Sequence, residues 1–252
     1  MSKKSYPNIK ILYEDRDIVA IDKPAGLMVH DDGHREGPFL TDWIISKYPE
    51  VLTVGEPARA SNGKDIARPG IVHRLDRETS GVMLIVKTLA GHTHIKEQFQ
   101  AHTILKRYLA FCWGQLKQEF GTINRPIGRS VSDFRKWSSQ RGARGELKMA
   151  ETYWTRLWTG ISPVDGEHFS YLEAQPKTGR THQIRVHFNA LNHPIIGDRL
   201  YAPKRPMALG FERIALHSHQ IDFENLAGKR IFIEASLPQD FVRACKELGI
   251  GV

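Results

Sequence analysis

The chain has 252 residues, 40% hydrophobic and 25% charged, an ordinary globular composition with enough material for a substantial core. Cys112 and Cys245 are its two cysteines, too few and too far apart for a CxxC motif, a zinc knuckle or a disulfide framework. The net charge is +8, with 36 Lys and Arg against 28 Asp and Glu, which suits either a polyanion partner or a merely basic surface.

Residues 10–13 read as a strand, 14–17 as a polar turn and 18–21 as a returning strand, together a hairpin. Lys23-Pro24-Ala25-Gly26 interrupts it. Residues 40–48 place Leu40, Trp43, Ile44 and Tyr48 on one helical face, and Pro49 closes the helix. Residues 53–70 are a long polar loop of a length that usually carries function. Val82 to Val86 is a continuous apolar run fit for a buried strand, residues 89–100 read as a helix and 107–113 as a strand. Residues 121–150 are expected to form a hairpin-like excursion, with strands resuming at 151–157 and 169–174. Residues 181–191 read as a helix with Ile184, Phe188 and Leu191 on one face and His182, Arg185 and Asn189 on the other. Late strands at 213–223 and 230–235 and a helix at 239–248 complete the chain. This irregular alternation predicts an α+β fold with a mixed, largely antiparallel sheet and flanking helices, in a single domain over residues 1–252.

No apolar run approaches the roughly 18 residues of a membrane helix. The basic N-terminus is not followed by the apolar stretch of a signal peptide, so the cytoplasm is the expected compartment.

Three segments concentrate charge. Between Arg125 and Lys148 seven basic residues (Arg125, Arg129, Arg135, Lys136, Arg141, Arg144, Lys148) stand against Asp133 and Glu146. Phe134 and Trp137 interleave with them, as expected where phosphates and bases are both met, unless both aromatics merely anchor a basic loop. In His73-Arg74-Leu75-Asp76-Arg77 a carboxylate lies between two cations that favour its charged form. Such a group is usable as nucleophile or base, or it is one member of a structural ion-pair cluster. In Lys177-Thr178-Gly179-Arg180-Thr181-His182-Gln183-Ile184-Arg185 a turn opens a helix whose N-terminus can hold a phosphate, with Arg185 able to fork a carboxylate. Here the bland alternative is a solvated basic helix start. The histidine pairs 182/187, 92/94 and 217/219 lack the spacing or the acidic partners of a metal site, and no Walker A, GxGxxG or GxSxG motif is present.

The run His73-Arg74-Leu75-Asp76-Arg77-Glu78-Thr79-Ser80-Gly81 resembles the HRLDRxTSG signature of RluA-type pseudouridine synthases. Five further segments resemble that family in the same order: Ile18 to Gly26 (Ile-Val-Ala-Ile-Asp-Lys-Pro-Ala-Gly), with Asp22 where Asn is commoner; Lys106-Arg107-Tyr108-Leu109-Ala110; Lys177 to His187; His193-Pro194-Ile195-Ile196-Gly197-Asp198; and Ala215-Leu216-His217-Ser218, with Ser218 for the usual Ala. The resemblance implies RNA as substrate, ribosomal or transfer, and Asp76 as the essential carboxylate. It further implies Tyr108 stacking on the target base, Arg185 pairing with Asp76, Arg74 filling the gap left by the flipped nucleotide and Leu216 lining the uracil pocket. His73, Arg77, Lys177, Arg180 and His182 in the matching motifs, with Arg135, Lys136 and Arg141 of the excursion, are the expected RNA contacts.

These roles suit the chemistry. Moving a glycosidic bond from N1 to C5 requires the base to leave the stack, a platform to receive it and a planar filler behind it. The isomerisation changes neither redox state nor composition, so no cofactor and no metal are expected. Several relatives carry an N-terminal S4 RNA-binding domain. Here about nine residues precede the first strand, so target choice is expected from the catalytic domain and its basic excursion. No dimerisation signal is visible, and a monomer is expected. A non-catalytic RNA-binding protein that keeps the fold is the alternative, to which an intact Asp76, Tyr108 and Arg185 set would be superfluous. A metal-dependent nuclease lacks a second clustered carboxylate.

Overall fold

The computed structural model describes residues 6–31, 37–59, 65–140 and 143–251. In chain order its elements are β1 (Lys10–Glu14), β2 (Ile18–Lys23), α1 (Leu40–Lys47), a 3-10 turn (Pro49–Thr53), β3 (Ala58–Arg59), β4 (Asp65–Ile66), β5 (Ser80–Val86), α2 (Leu89–Gln100), β6 (Leu105–Trp113), β7 (Phe120–Asn124), β8 (Ile127–Arg129), β9 (Trp137–Ser138), β10 (Arg144–Lys148), β11 (Glu151–Ile161), β12 (His168–Pro176), α3 (Gln183–Ala190), β13 (Leu216–Glu224), β14 (Arg230–Glu234) and α4 (Gln239–Glu247). The expected α+β class is borne out: the main sheet ladders are antiparallel and the described residues hold four α-helices. No helix among the described residues is long and apolar enough to cross a membrane.

The chain divides into two compact units. The first comprises residues 1–105 and 220–236. In it β1 pairs β2, β2 pairs β5 with Ile18 opposite Val86 and Lys23 opposite Gly81, and the second half of β13 pairs β14. Every residue of β5 is buried, which explains the continuous apolar run: a strand covered on both faces has no polar side to display. Ile18, Ala20, Val82, Leu84 and Val86 join Ile95 of α2 and Ile221, Phe223, Ile231 and Ile233 in one core. Helix α2 starts where Thr88 caps it, its hydroxyl accepting from Gly91 N at 3.1 Å and donating to Asp17 Oδ1 at 2.6 Å. The polar stretch after the 3-10 turn, expected as loop, contains the short β3–β4 ladder.

The second unit comprises residues 106–219 and 237–252. There β6 pairs β12, β12 pairs β11 and β11 pairs β7. Phe111 of β6 stacks on Tyr171 at 4.4 Å and meets Phe211 and Phe241, so α4 closes over an aromatic core. The basic excursion builds a three-stranded sheet in the order β10-β8-β9. Helix α3 begins at Gln183, two residues later than its apolar spacing predicts, with His182 as N-cap in the left-handed region at φ 56°. Tertiary hydrogen bonds decide that start: the Gln183 amide oxygen accepts from Thr178 Oγ1 at 2.7 Å and Arg180 N at 3.0 Å. Strand β13 likewise begins at Leu216 rather than 213, because Arg213 is turned aside by a fork to Asp240 at 2.6 and 3.0 Å. The backbone carbonyl of Arg213 also lies 2.1 Å from where a Cβ on Gly197 would stand, and Gly197 has φ +73°. Only glycine fits that turn.

Candidate active site

In the first unit, the segment carrying Asp76 leaves the core at Ile71, bridged to Ile85 of β5, and returns to it at Ser80. Leu75 is buried beneath it. Thr79 N donates to the Asp76 carbonyl at 3.1 Å and closes a turn, so Asp76 stands half-buried at the head of that turn.

A fully buried lysine fastens this turn to the Lys23-Pro24-Ala25-Gly26 segment. Lys23, 0% exposed, donates through Nζ to the carbonyls of Pro24 at 2.8 Å, Leu27 at 3.0 Å and Arg77 at 3.1 Å. Gly26 N donates to the same Arg77 carbonyl at 2.9 Å, and Arg77 Nε returns to the Gly26 carbonyl at 3.2 Å. An ammonium with three carbonyl acceptors is the arrangement that makes a buried cation tolerable.

The neighbouring cations have defined partners. Arg74 is exposed and its Nη1 lies 3.1 Å from His30 Nε2. His30 Nδ1 lies 2.8 Å from the Asp31 carbonyl, so the imidazole donates there and Nε2 accepts from Arg74. Arg77 pairs with Glu78 at 3.2 Å. His73 points inward: Leu84 N donates to its Nε2 at 2.8 Å and its ring packs on Phe99 at 4.9 Å.

In the second unit Tyr108 sits on β6 opposite Ala174 and is 8% exposed. Lys106 precedes it by two residues on the same side of the strand. Burial, and then the charge of Lys177, pull the Lys106 ammonium down to about 8, and its Nζ lies 3.5 Å from the Thr178 carbonyl. The α3 segment is organised by Gln183, whose amide nitrogen donates to the Glu151 carbonyl at 2.9 Å and to Thr152 Oγ1 at 3.0 Å. His187 is buried between Thr152 Oγ1 at 2.9 Å and the Arg125 carbonyl at 3.0 Å, and burial lowers its pKa.

Arg185 forks Asp198: Nε donates to Oδ2 at 2.8 Å and Nη2 to Oδ1 at 2.9 Å. Asp198, 3% exposed, also accepts from Leu200 N and Tyr201 N at 3.1 Å each. This fixes the guanidinium plane, with Nη1 outside the fork. Tyr201 joins the predicted residues to the excursion: its hydroxyl meets His182 Nδ1 at 2.9 Å and accepts from Trp137 N at 3.0 Å, and its ring lies 5.1 Å from Arg185 Cζ. Arg180 Nε donates to the Met149 carbonyl at 3.0 Å, Lys177 is exposed, and Leu216 is buried.

Of the excursion residues, Arg135 is exposed and forks Asp133 at 3.0 and 2.8 Å, and Lys136 is half-buried. Arg141 lies outside the described residues. The two aromatics divide between the two readings open to them. Trp137 packs on the buried cluster of Ile127, Ala150 and Val186, whereas Phe134 is 76% exposed. Sequence reasoning about reactive groups passed over Lys23, His30, Gln183, Asp198 and Tyr201. Lys23, Gln183 and Asp198 lie inside the family-like motifs, so only their task was hidden. His30 and Tyr201 carry no local signal.

Residues 17–190 match the family model described as RNA pseudouridylate synthase. The chain is 36% identical over 235 residues to an uncharacterized RNA pseudouridine synthase of Synechocystis, covering 92% of this chain and 67% of the relative. It is 31% identical over 250 residues to the ribosomal large subunit pseudouridine synthase D of Zymomonas mobilis, covering 96% of this chain and 73% of the relative. The solved structure of human RNA Pseudouridylate Synthase Domain Containing 4 superposes with a TM-score of 0.72 at 26% identity, covering 96% of this chain and 94% of that one. The chain belongs to the RNA pseudouridylate synthase family, isomerases that act on RNA, and the RluA-type resemblance of its motifs is borne out.

Proposed function

We propose that this chain isomerises uridine to pseudouridine in structured ribosomal RNA, with Asp76 as its catalytic carboxylate. The observation that carries the reading is the hold on the Asp76 turn: buried Leu75 beneath it, the Thr79 hydrogen bond across it and the Lys23 ammonium tying it to a second segment. A reacting group needs such support to keep its geometry. The ribosomal substrate follows the name of the Zymomonas relative, and transfer RNA is the second candidate.

In the reaction the N1–C1′ bond breaks, a C5–C1′ bond forms, the C5 proton is lost and N1 gains one. Atoms balance without a co-reactant. Tyr108 serves as platform for the flipped base and Leu216 as apolar lining. Arg185, held flat by Asp198, serves as the cation that keeps Asp76 ionised. Exposed Arg74 serves as the planar filler in the vacated stack. His73 supports the site through β5, and Arg77, Lys177, Arg180 and His182 face the RNA backbone. The protein works in the cytoplasm as a monomer. Tritium release from C5-tritiated ribosomal and transfer RNA transcripts tests the reading. Release from the ribosomal transcript is expected; release only from transfer RNA replaces the substrate, and none from either, with RNA still bound, favours a non-catalytic RNA-binding protein.

The excursion is the proposed backbone grip. In its sheet Arg129 stands opposite Arg144, a like-charge pair that disfavours the free sheet and is relieved by a phosphate. Replacing Arg135, Lys136, Arg141 and Arg144 by Gln should weaken RNA binding and flatten its dependence on log salt, by roughly 0.7 for each phosphate no longer neutralised. Arg135 contributes least, since Asp133 already offsets its charge. An unchanged slope rules this grip out.

A further inference from the structure

The loop between β8 and β9 presents an apolar ring to solvent in the most basic part of the chain. Phe134 is 76% exposed and Val131, in the same loop, 62%. Singly exposed apolar side chains are ordinary, and Phe120 is 73% exposed as well; Phe134 is distinguished by its place on a fixed turn among cations. The loop holds it in place: Ser130 N donates to the Lys136 carbonyl at 3.0 Å and Lys136 N to the Asp133 carbonyl at 2.9 Å. Arg135 N donates to Asp133 Oδ1 at 2.9 Å, and Arg129 Nη1 donates to the carbonyl of Phe134 itself at 3.2 Å. The ring is therefore carried on a hydrogen-bonded turn whose shape does not depend on the ring.

Its surroundings select the partner. Arg129 and Lys136 border the turn, with Arg135 offset by Asp133, and Arg129 also lies over Trp137 at 4.3 Å. This face repels a basic protein surface and attracts a polyanion. A rigid aromatic among cations is the combination that takes a nucleobase by stacking while the phosphates are neutralised. We infer that Phe134 is a stacking platform for an unpaired base of the substrate RNA other than the isomerised uridine, a contact that favours RNA with an unpaired base within its reach. The inference rests on the proposed RNA-binding role of the excursion.

The test compares a short single-stranded RNA with an abasic backbone of the same length and charge. Phe134→Ala is expected to weaken binding of the base-bearing RNA about tenfold, to leave the abasic backbone unchanged and to leave the salt dependence unchanged, because no charge is removed. Phe134→Trp should keep wild-type affinity and show tryptophan quenching, beyond that of wild type, with the base-bearing RNA only. In turnover on the RNA substrate, Phe134→Ala should raise KM and spare kcat. Equal losses on both probes, or no loss on either, overturn the platform. The backbone grip is judged apart from it: if the wild type binds both probes without salt dependence, the grip fails, and if salt dependence is normal while Phe134→Ala changes nothing, only the platform fails.

Discussion

Replacing Asp76 by Asn is expected to lower tritium release from RNA carrying C5-tritiated uridine by more than about a thousandfold, the scale seen when an acting nucleophile or base is removed. Asn keeps the size of Asp and removes the charge. The hydrogen bond that closes the turn comes from Thr79 N to the main-chain carbonyl of residue 76, which the substitution leaves in place. Leu75 and Lys23 are likewise untouched. The variant should therefore fold and bind RNA as the wild type does, and the loss should appear in kcat. A variant that retains most of the release would remove Asp76 from the chemistry. One that loses release together with its thermal transition would reassign it to the structure of the turn.

The second large effect is expected at a residue that does no chemistry. Lys23→Met preserves length and apolar stem but deletes the ammonium, leaving the carbonyls of Pro24, Leu27 and Arg77 without that donor inside the protein. Leaving a buried acceptor unsatisfied costs about 1–3 kcal/mol. Arg77 keeps its bond from Gly26 N, so the Pro24 and Leu27 carbonyls set a loss of roughly 2–6 kcal/mol, which in a chain of this size lowers Tm by roughly 10 °C. Because Arg77 follows Asp76 directly, release should fall too, through displacement of the turn. Thermal unfolding and the release assay, run together on Lys23→Met, check both parts. An unchanged Tm would mean that the three carbonyls find other donors and that the Lys23 tie is dispensable.

Much of this protein is legible in local patterns. Residues 89–100 read as a helix and are one: Thr88 supplies a cap, and Gly91, His92 and Ile95 turn one face inward. Val82 to Val86 reads as a buried strand, because five consecutive apolar residues leave no face for water. The motif around Asp76 and the one ending at Asp198 point to the family by their residues alone. These are features in which each residue's environment is set by its near neighbours in sequence.

What the tertiary structure alone decided are pairings between segments far apart in the chain. That Lys23 reaches the carbonyl of Arg77, that Arg185 forks Asp198 and that Tyr201 meets both His182 and the backbone of Trp137 follow from hydrogen bonds formed after the elements pack. The delayed starts of α3 and β13 have the same origin, since Gln183 and Arg213 answer to distant partners rather than to periodicity. The fates of Phe134 and Trp137 differ for the same reason. Both are aromatic residues in one basic segment, and only the presence of Ile127, Ala150 and Val186 beneath one of them makes it an anchor and leaves the other in water. Sequence specifies which groups exist and how the chain is locally biased, whereas burial and hydrogen-bond partnership are properties of the packed chain.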